Sequence, residues 1–252
     1  AAALVGRPCY VRIENCVVES GTVTSKAYYA GGLVASQYTS SSAYGLTIVN
    51  CVNKANVTNN SNDPQPFTGG ILGSGEGVKI TGCTNYGTIT TNKYYAGGIA
   101  GRSHNATIEK CANYGAVSSS ATTGYAAGIL ADGTNEVVKN CYNQGSITAG
   151  KNASGITCYF GSTSGHTDTD TIVNCYNVGT INGAQKSHAI SIRGDYYYNC
   201  KLSNNYSLTA GDAYVTQKTA DEFADGAVYN LLQGANGSTQ VWGQTIGTDS
   251  YP

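Results

Sequence analysis

The sequence predicts an all-β chain: a right-handed, three-sided parallel β-helix (β-solenoid), closed by a small C-terminal segment containing one helix. Three observations carry this reading. Cysteine recurs every 25 to 35 residues in one frame, Ile/Val-x-Asn-Cys-x-Asn-x-Gly-x-Ile/Val-Ser/Thr. The composition is glycine-rich and tyrosine-rich, with 33 Gly and 20 Tyr in 252 residues, and only 12% of residues are charged, about half the usual share. Finally, each unit holds three short β-like runs and no helical period. One unit cannot bury its own apolar face, so units must stack, each run pairing in parallel with its counterpart.

Taken in order, the runs supply three inward ladders. Ile13, Ile48, Ile80, Ile108, Val138 and Ile172 precede the cysteines; Val23, Val57, Ile89, Val117, Ile147 and Ile181 follow them; Leu33, Ile71, Ile99, Ile129 and Ile156 close each unit. Cys16, Cys51, Cys83, Cys111, Cys141, Cys175 and Cys200 form a fourth line, expected to be buried, unbridged thiols because parallel Cβ vectors give the wrong disulfide torsion. Ile108 and Cys111 are three apart, so an unbroken pleat would place them on opposite faces, and a bend is expected between them. Asn85, Asn113, Asn143 and Asn177 are expected to stack at the following turn and satisfy its backbone.

The solenoid of about seven repeats is assigned to residues 1–208 and the cap to 209–252. Thr219-Ala-Asp-Glu222 is a capping box, followed by Phe223, Ala227, Val228, Leu231 and Leu232 at helical spacing and stopped by Gly234. This helix is expected to cover the last open rung. Residues 1–16 align without a gap on residues 96–111, so the chain opens mid-repeat and reads as a piece of a longer protein with other domains. A formal net charge of −1 and no basic block argue against nucleic acid as partner. No apolar run is long enough to insert into a membrane.

Ala30-Gly31-Gly32-Leu33-Val34 and Ala96-Gly97-Gly98-Ile99-Ala100-Gly101 resemble the A-x-G-G-L-V-G core of GLUG-motif repeat proteins, which are large bacterial surface and secreted proteins. The resemblance implies an extracellular location and a role in adhesion or spacing. It supplies no catalytic residue. Similar repeats occur in immunoglobulin-A-cleaving metallopeptidases, whose zinc chemistry needs His-Glu-x-x-His; His104, His166 and His188 do not offer that spacing.

No catalytic residue, metal site or cofactor is therefore expected. Asp132 with Glu136, and Asp168 with Asp170, are the carboxylate pairs an alternative reading as a β-helix lyase or glycosidase would use. His166-Thr-Asp168-Thr-Asp170 lacks the remaining positions of a calcium loop. Cys9 aligns with His104 on a loop and is the thiol best placed to react. Tyr29, Phe67, Tyr95 and Tyr125 precede the Ala-Gly-Gly position and form an aromatic ladder, the preferred face for a host or dietary glycan or a surface protein. A row of Thr22-x-Thr24, Asn56-x-Thr58, Thr88-x-Thr90, Ser146-x-Thr148 and Thr180-x-Asn182 is what an ice-binding solenoid would display, though serine and asparagine interrupt it.

Overall fold

A computed structural model describes residues 1–37, 45–160, 169–192, 200–209 and 215–252. The chain forms a parallel β-solenoid whose coils are each divided among five short strands, giving five parallel sheets among the described residues. An isoleucine sheet runs from Arg12–Glu14 to Lys201–Ser203 and an asparagine sheet from Val17–Val18 to Thr216–Gln217. A threonine sheet runs from Thr22–Ser25 to Ile181–Gly183, an aromatic sheet from Tyr29–Gly31 to Lys186–His188, and a serine sheet from Val34–Ser36 to Thr157–Phe160. At about 4.8 Å per rung, the six steps of the isoleucine sheet span about 29 Å.

The three expected ladders face inward. Ile13, Ile48, Ile80, Ile108, Val138 and Ile172 stand in register, with Leu202 extending the line. Leu33 to Ile156 occupy the bend between aromatic and serine sheets, each amide donating to the next ladder residue, and Ile190 adds a sixth member. The interior is two apolar lobes rather than one. Isoleucine, leucine and cysteine fill the larger; Val23, Val57, Ile89, Val117 and Ile147 pack with Ala30, Ala96, Ala126 and Ala153 in the smaller.

The lobes meet at a pinch. Asn53, Asn85, Asn113, Asn143 and Asn177 are fully buried. Each amide donates to the carbonyl two residues on, and each of the first four also to the Oδ1 of the next asparagine, at 2.7–2.9 Å throughout. A Cβ built on Gly98 would lie 2.4 Å from Asn113 Cγ and 2.1 Å from the Gly128 carbonyl oxygen; Gly32, Gly70, Gly128 and Gly155 are confined in the same way. The second glycine of Ala-Gly-Gly is thus required by the asparagine opposite it.

The bend between isoleucine and cysteine falls on the residue before the thiol. Asn15, Asn50, Lys110, Asn140 and Asn174 have φ of 50–59° and Gly82 has +65°. This left-handed residue turns the chain, so Ile108 and Cys111 both point inward.

All nine cysteines are free thiols. The line that begins at Cys16 does not end at Cys200. Register pairs Ile172 with Leu202, so the position three residues on, equivalent to Cys175, is Asn205. Cys200 lies on the column of Glu136 and Asp170 instead, because the isoleucine strand starts one residue after each of them. The thiols also do more than pack. Cys141 Sγ donates to Ile108 O at 3.6 Å and accepts the Cys111 amide at 3.4 Å, while Cys175 Sγ repeats both bonds with Val138 O and the Cys141 amide. Asn205 does the same with its amide: Oδ1 accepts the Cys175 N–H at 3.0 Å and Nδ2 donates to Ile172 O at 2.9 Å. Burial pushes Cys111 and Cys141 well above the ordinary thiol range, keeping them protonated donors.

The cap also differs from expectation. Two helices replace one: α1 (Ala220–Ala224), opened by the Thr219–Glu222 capping box, and α2 (Ala227–Gly234), separated at Gly226, whose φ is +88°. Thr216–Gln217 adds one more rung on Tyr206–Ser207. The helical segment then packs along the flank rather than over the end. Phe223, Val228, Leu232 and Trp242 bury themselves against Tyr176 and Tyr206 on the outside of the asparagine sheet. Tyr176 Oη donates to Pro252 O at 2.6 Å, and Asn236 Nδ2 donates to Asn140 Oδ1 at 3.2 Å. Leu231, expected in the apolar face, is 43% exposed.

Candidate functional site

Aromatic and serine sheets meet at the corner where the sequence placed the glycan-binding ladder. Tyr29, Phe67, Tyr95 and Tyr125 do stack on consecutive rungs, with ring centroids 6.2, 5.0 and 5.4 Å apart and planes within 18°. Stacking consumes the ring faces. Phe67, Tyr95 and Tyr125 are buried, and Tyr28 and Tyr94 pack against them. Arg102 lies 4.9 Å above Phe67, and Lys151 lies 5.0 Å above Tyr125 and donates to its hydroxyl at 2.7 Å. Tyr29, half-buried, lines open space.

That space is a cavity of about 120 Å³ bounded by Arg7, Tyr29, Ser36, Gln37, Ser74, Gly75, Glu76, Arg102 and His104. Its construction follows from the repeat. Ser36, Ser74, Arg102 and Asp132 are partners on successive rungs of the serine sheet, and the Val5–Val34 bridge brings Arg7 alongside Ser36. Two arginines therefore flank two rungs of serine. The small serines leave the hollow; Gln37 and Glu76 form its wall, the Glu76 amide donating to Gln37 Oε1 at 3.0 Å.

Arg102 is held from three sides. It stacks on Phe67, donates through Nε to His104 Nε2 at 3.0 Å and lies 3.7 Å from Asp132 Oδ2. His104 must be unprotonated to accept, and burial first, then Arg102, lowers its pKa to about 4. Burial raises the Asp132 carboxyl to about 7, with Arg102 opposing the shift. Sequence reasoning singled out neither arginine, although the alignment of residues 1–16 on 96–111 already equates Arg7 with Arg102. Only stacking shows that small residues occupy the rungs between them.

The carboxylates an enzyme reading would use do not converge on this cavity. Asp132 sits beside Arg102 and is 8% exposed, and Glu136 is fully buried, accepting from Ser103 Oγ at 3.2 Å with its other oxygen unpartnered among the described residues. Desolvation raises Glu136 well above the usual carboxylate range, and neighbouring Asp170 adds to the shift. Asp170 Oδ1 accepts the Glu136 amide at 2.9 Å. His166 and Asp168 lie outside the described residues. Cys9 is exposed. On the threonine sheet Thr24, Thr58, Thr90, Ser118, Thr148 and Asn182 stand in register on six rungs, with Ser118 Oγ donating to Thr90 Oγ1 at 3.4 Å.

No family model matches the sequence, and no curated protein matches it. Among solved structures, the chain is similar to a "putative immunoglobulin A1 protease" from Bacteroides ovatus, with a TM-score of 0.58 and 20% identity over 98% of this chain and 75% of that one. At that identity the likeness is one of fold.

Proposed function

We propose that this chain is a non-catalytic module of a bacterial cell-surface or secreted protein, serving as a stalk that spaces other domains and as an adhesive face. The observation that carries this reading is the unbroken register of seven isoleucine-sheet strands reinforced by the asparagine and thiol columns. Every rung is locked to the next by side-chain hydrogen bonds as well as by backbone, which suits a rigid spacer. The GLUG-like Ala-Gly-Gly blocks support the surface location.

The neighbour's name makes peptidase activity the competing reading, and the β-helix fold makes a lyase or glycosidase another. Against the first stands the absence of a His-Glu-x-x-His spacing from the sequence. Against the second stands the placement of Asp132 and Glu136, whose carboxyls are buried and do not line the cavity. The test is incubation with immunoglobulin A1 and with a panel of neutral and acidic polysaccharides, read by gel and by new reducing ends or unsaturated products. In parallel, beads carrying the chain are washed over glycan-coated and protein-coated surfaces. Retention without turnover is expected; turnover of any substrate at rates above a heat-treated control overturns the reading.

A further inference from the structure

The serine-sheet cavity combines four features that together describe a ligand. First, Arg102 is positioned but not used up. Its Nε serves His104, and among the described residues no protein acceptor engages its Nη groups. A planar guanidinium pinned on Phe67 presents a two-pronged donor, which matches a carboxylate in geometry and charge. Second, Glu76 lines the same hollow and is an acceptor of hydroxyl protons. Its negative charge opposes a multiply charged anion such as phosphate, and favours a ligand with one carboxylate and several hydroxyls. Third, Ser36, Gln37 and Ser74 are each no more than 9% exposed yet line the cavity, so its floor is built of fixed polar groups. Fourth, the half-buried Tyr29 lines one side with an aromatic side chain. A hollow of about 120 Å³ holds roughly four waters' worth of liquid volume, enough to seat a carboxylate and one edge of a sugar ring with the rest projecting outward.

We propose that this cavity is a subsite for a carboxylate-bearing sugar, one uronic-acid-type residue seated between Ser36, Ser74 and Tyr29. Its carboxylate takes the Arg102 fork and its hydroxyls reach Glu76 and the serines. Arg7 stands three rungs from Arg102, about 14 Å along the axis, so a chain of such residues would run parallel to the solenoid with a second cation at its other end. This deepens the adhesive reading by naming a ligand class and rests on it only for biological sense.

The experiment titrates the full chain, by calorimetry and by ligand-observed NMR, with glucuronate and galacturonate and their oligomers, with glucose and galactose as uncharged counterparts, and with acetate. Acidic sugars are expected to bind at least tenfold tighter than either neutral sugar or acetate. Arg102→Gln is expected to lose that binding tenfold or more. Ser74→Tyr fills the hollow while keeping both arginines, and is expected to abolish binding with the circular dichroism spectrum retained; it decides the matter should Arg102→Gln disturb folding through Asp132. Equal binding of neutral sugars, acetate matching the acidic sugars, undiminished binding by Ser74→Tyr, or no binding at all each overturns the proposal. None of these outcomes touches the non-catalytic reading, which only turnover overturns.

Discussion

The central coils and the two terminal coils solve the same packing problem differently. In the centre, glycine faces asparagine at every pinch: Gly70 with Asn85, Gly98 with Asn113, Gly128 with Asn143. At the first coil Ala3 lies in register with Gly32, and Val18 with Asn53. At the last, Ala189 lies beyond Gly155 and Ser207 beyond Asn177. Where the asparagine is replaced, the glycine is replaced too, by alanine. Ser207 even keeps part of the asparagine's role, since its Oγ accepts the Thr209 amide as Asn53 Oδ1 accepts that of Ala55. A middle coil carries a self-bonding amide and the bare backbone that makes room for it. The first and last coils of this chain trade both together.

The comparison is most easily broken at Gly98. Gly98→Ala forces a methyl into Asn113 and the Gly128 carbonyl, and should destabilise the chain by more than about 3 kcal/mol, seen as a lowered denaturation midpoint. Combining it with Asn113→Ser, the pairing of the last coil, should recover part of that loss but not all, because the Gly128 carbonyl remains in the way. A double variant no better than the sum of its parts would show that glycine and asparagine are not coupled.

The flank offers the next largest contrast. Leu232→Ala should cost about 2–5 kcal/mol, whereas exposed Leu231→Ala should stay within about 0.5 kcal/mol, measured by the same unfolding curves. Equal effects would contradict the side-on packing of α2.

Asn113→Ala should cost roughly 2–4 kcal/mol, since Asn85 Nδ2 loses one acceptor and the Gly115 carbonyl its side-chain donor. Asn205→Cys, which restores the column's thiol at an end coil, should be close to neutral. A large loss there would mean that amide and thiol are not equivalent on this line.

The smallest effect depends on pH. Glu136 is held neutral in the fold and titrates normally when unfolded, so the folded chain retains a proton that the unfolded chain gives up. The Glu136 contribution to stability is then greatest at low pH and falls as pH rises past the unfolded carboxylate range. Asp132, raised to about 7, adds to that fall between about pH 4 and 7. His104, lowered to about 4, works against it between about pH 4 and 6.5, because there the unfolded chain binds the extra proton. Glu136→Gln should therefore stabilise the chain more at pH 8 than at pH 4, and His104→Gln should steepen the decline between them. Identical melting profiles for wild type and Glu136→Gln would place the carboxyl in water.

The repeat made much of this legible in advance. Ile108, Cys111 and Asn113 repeat at fixed offsets, and stacking identical offsets in parallel fixes which side chains share a column. The inward ladders, the bend before each cysteine and the asparagine amides bonding around the turn all follow from one unit and the rule that it stacks. The sequence placed the aromatic column correctly too, but not its exposure, which depends on how Tyr28 and Tyr94 lean across to the next rung and on Arg102 and Lys151 packing over it from neighbouring coils. It also misplaced the end of the cysteine column, because Cys200 kept the residue type while Asn205 kept the position. The periodicity of α2 could not choose between Leu231 and Leu232, since both fit a helical stripe and only docking against Tyr176 and Tyr206 selects one.

What the sequence determined by itself was therefore everything that repeats: the solenoid, its columns and the residues that turn each corner, since a periodic chain has one way to bury its apolar positions. What only the tertiary structure decided lies where the period lapses. The Arg102–His104–Asp132 cluster and the cavity between Arg7 and Arg102 arise largely from side chains on successive coils that differ from rung to rung, and their charges acquire meaning only when stacking sets them a few ångströms from one another and away from water.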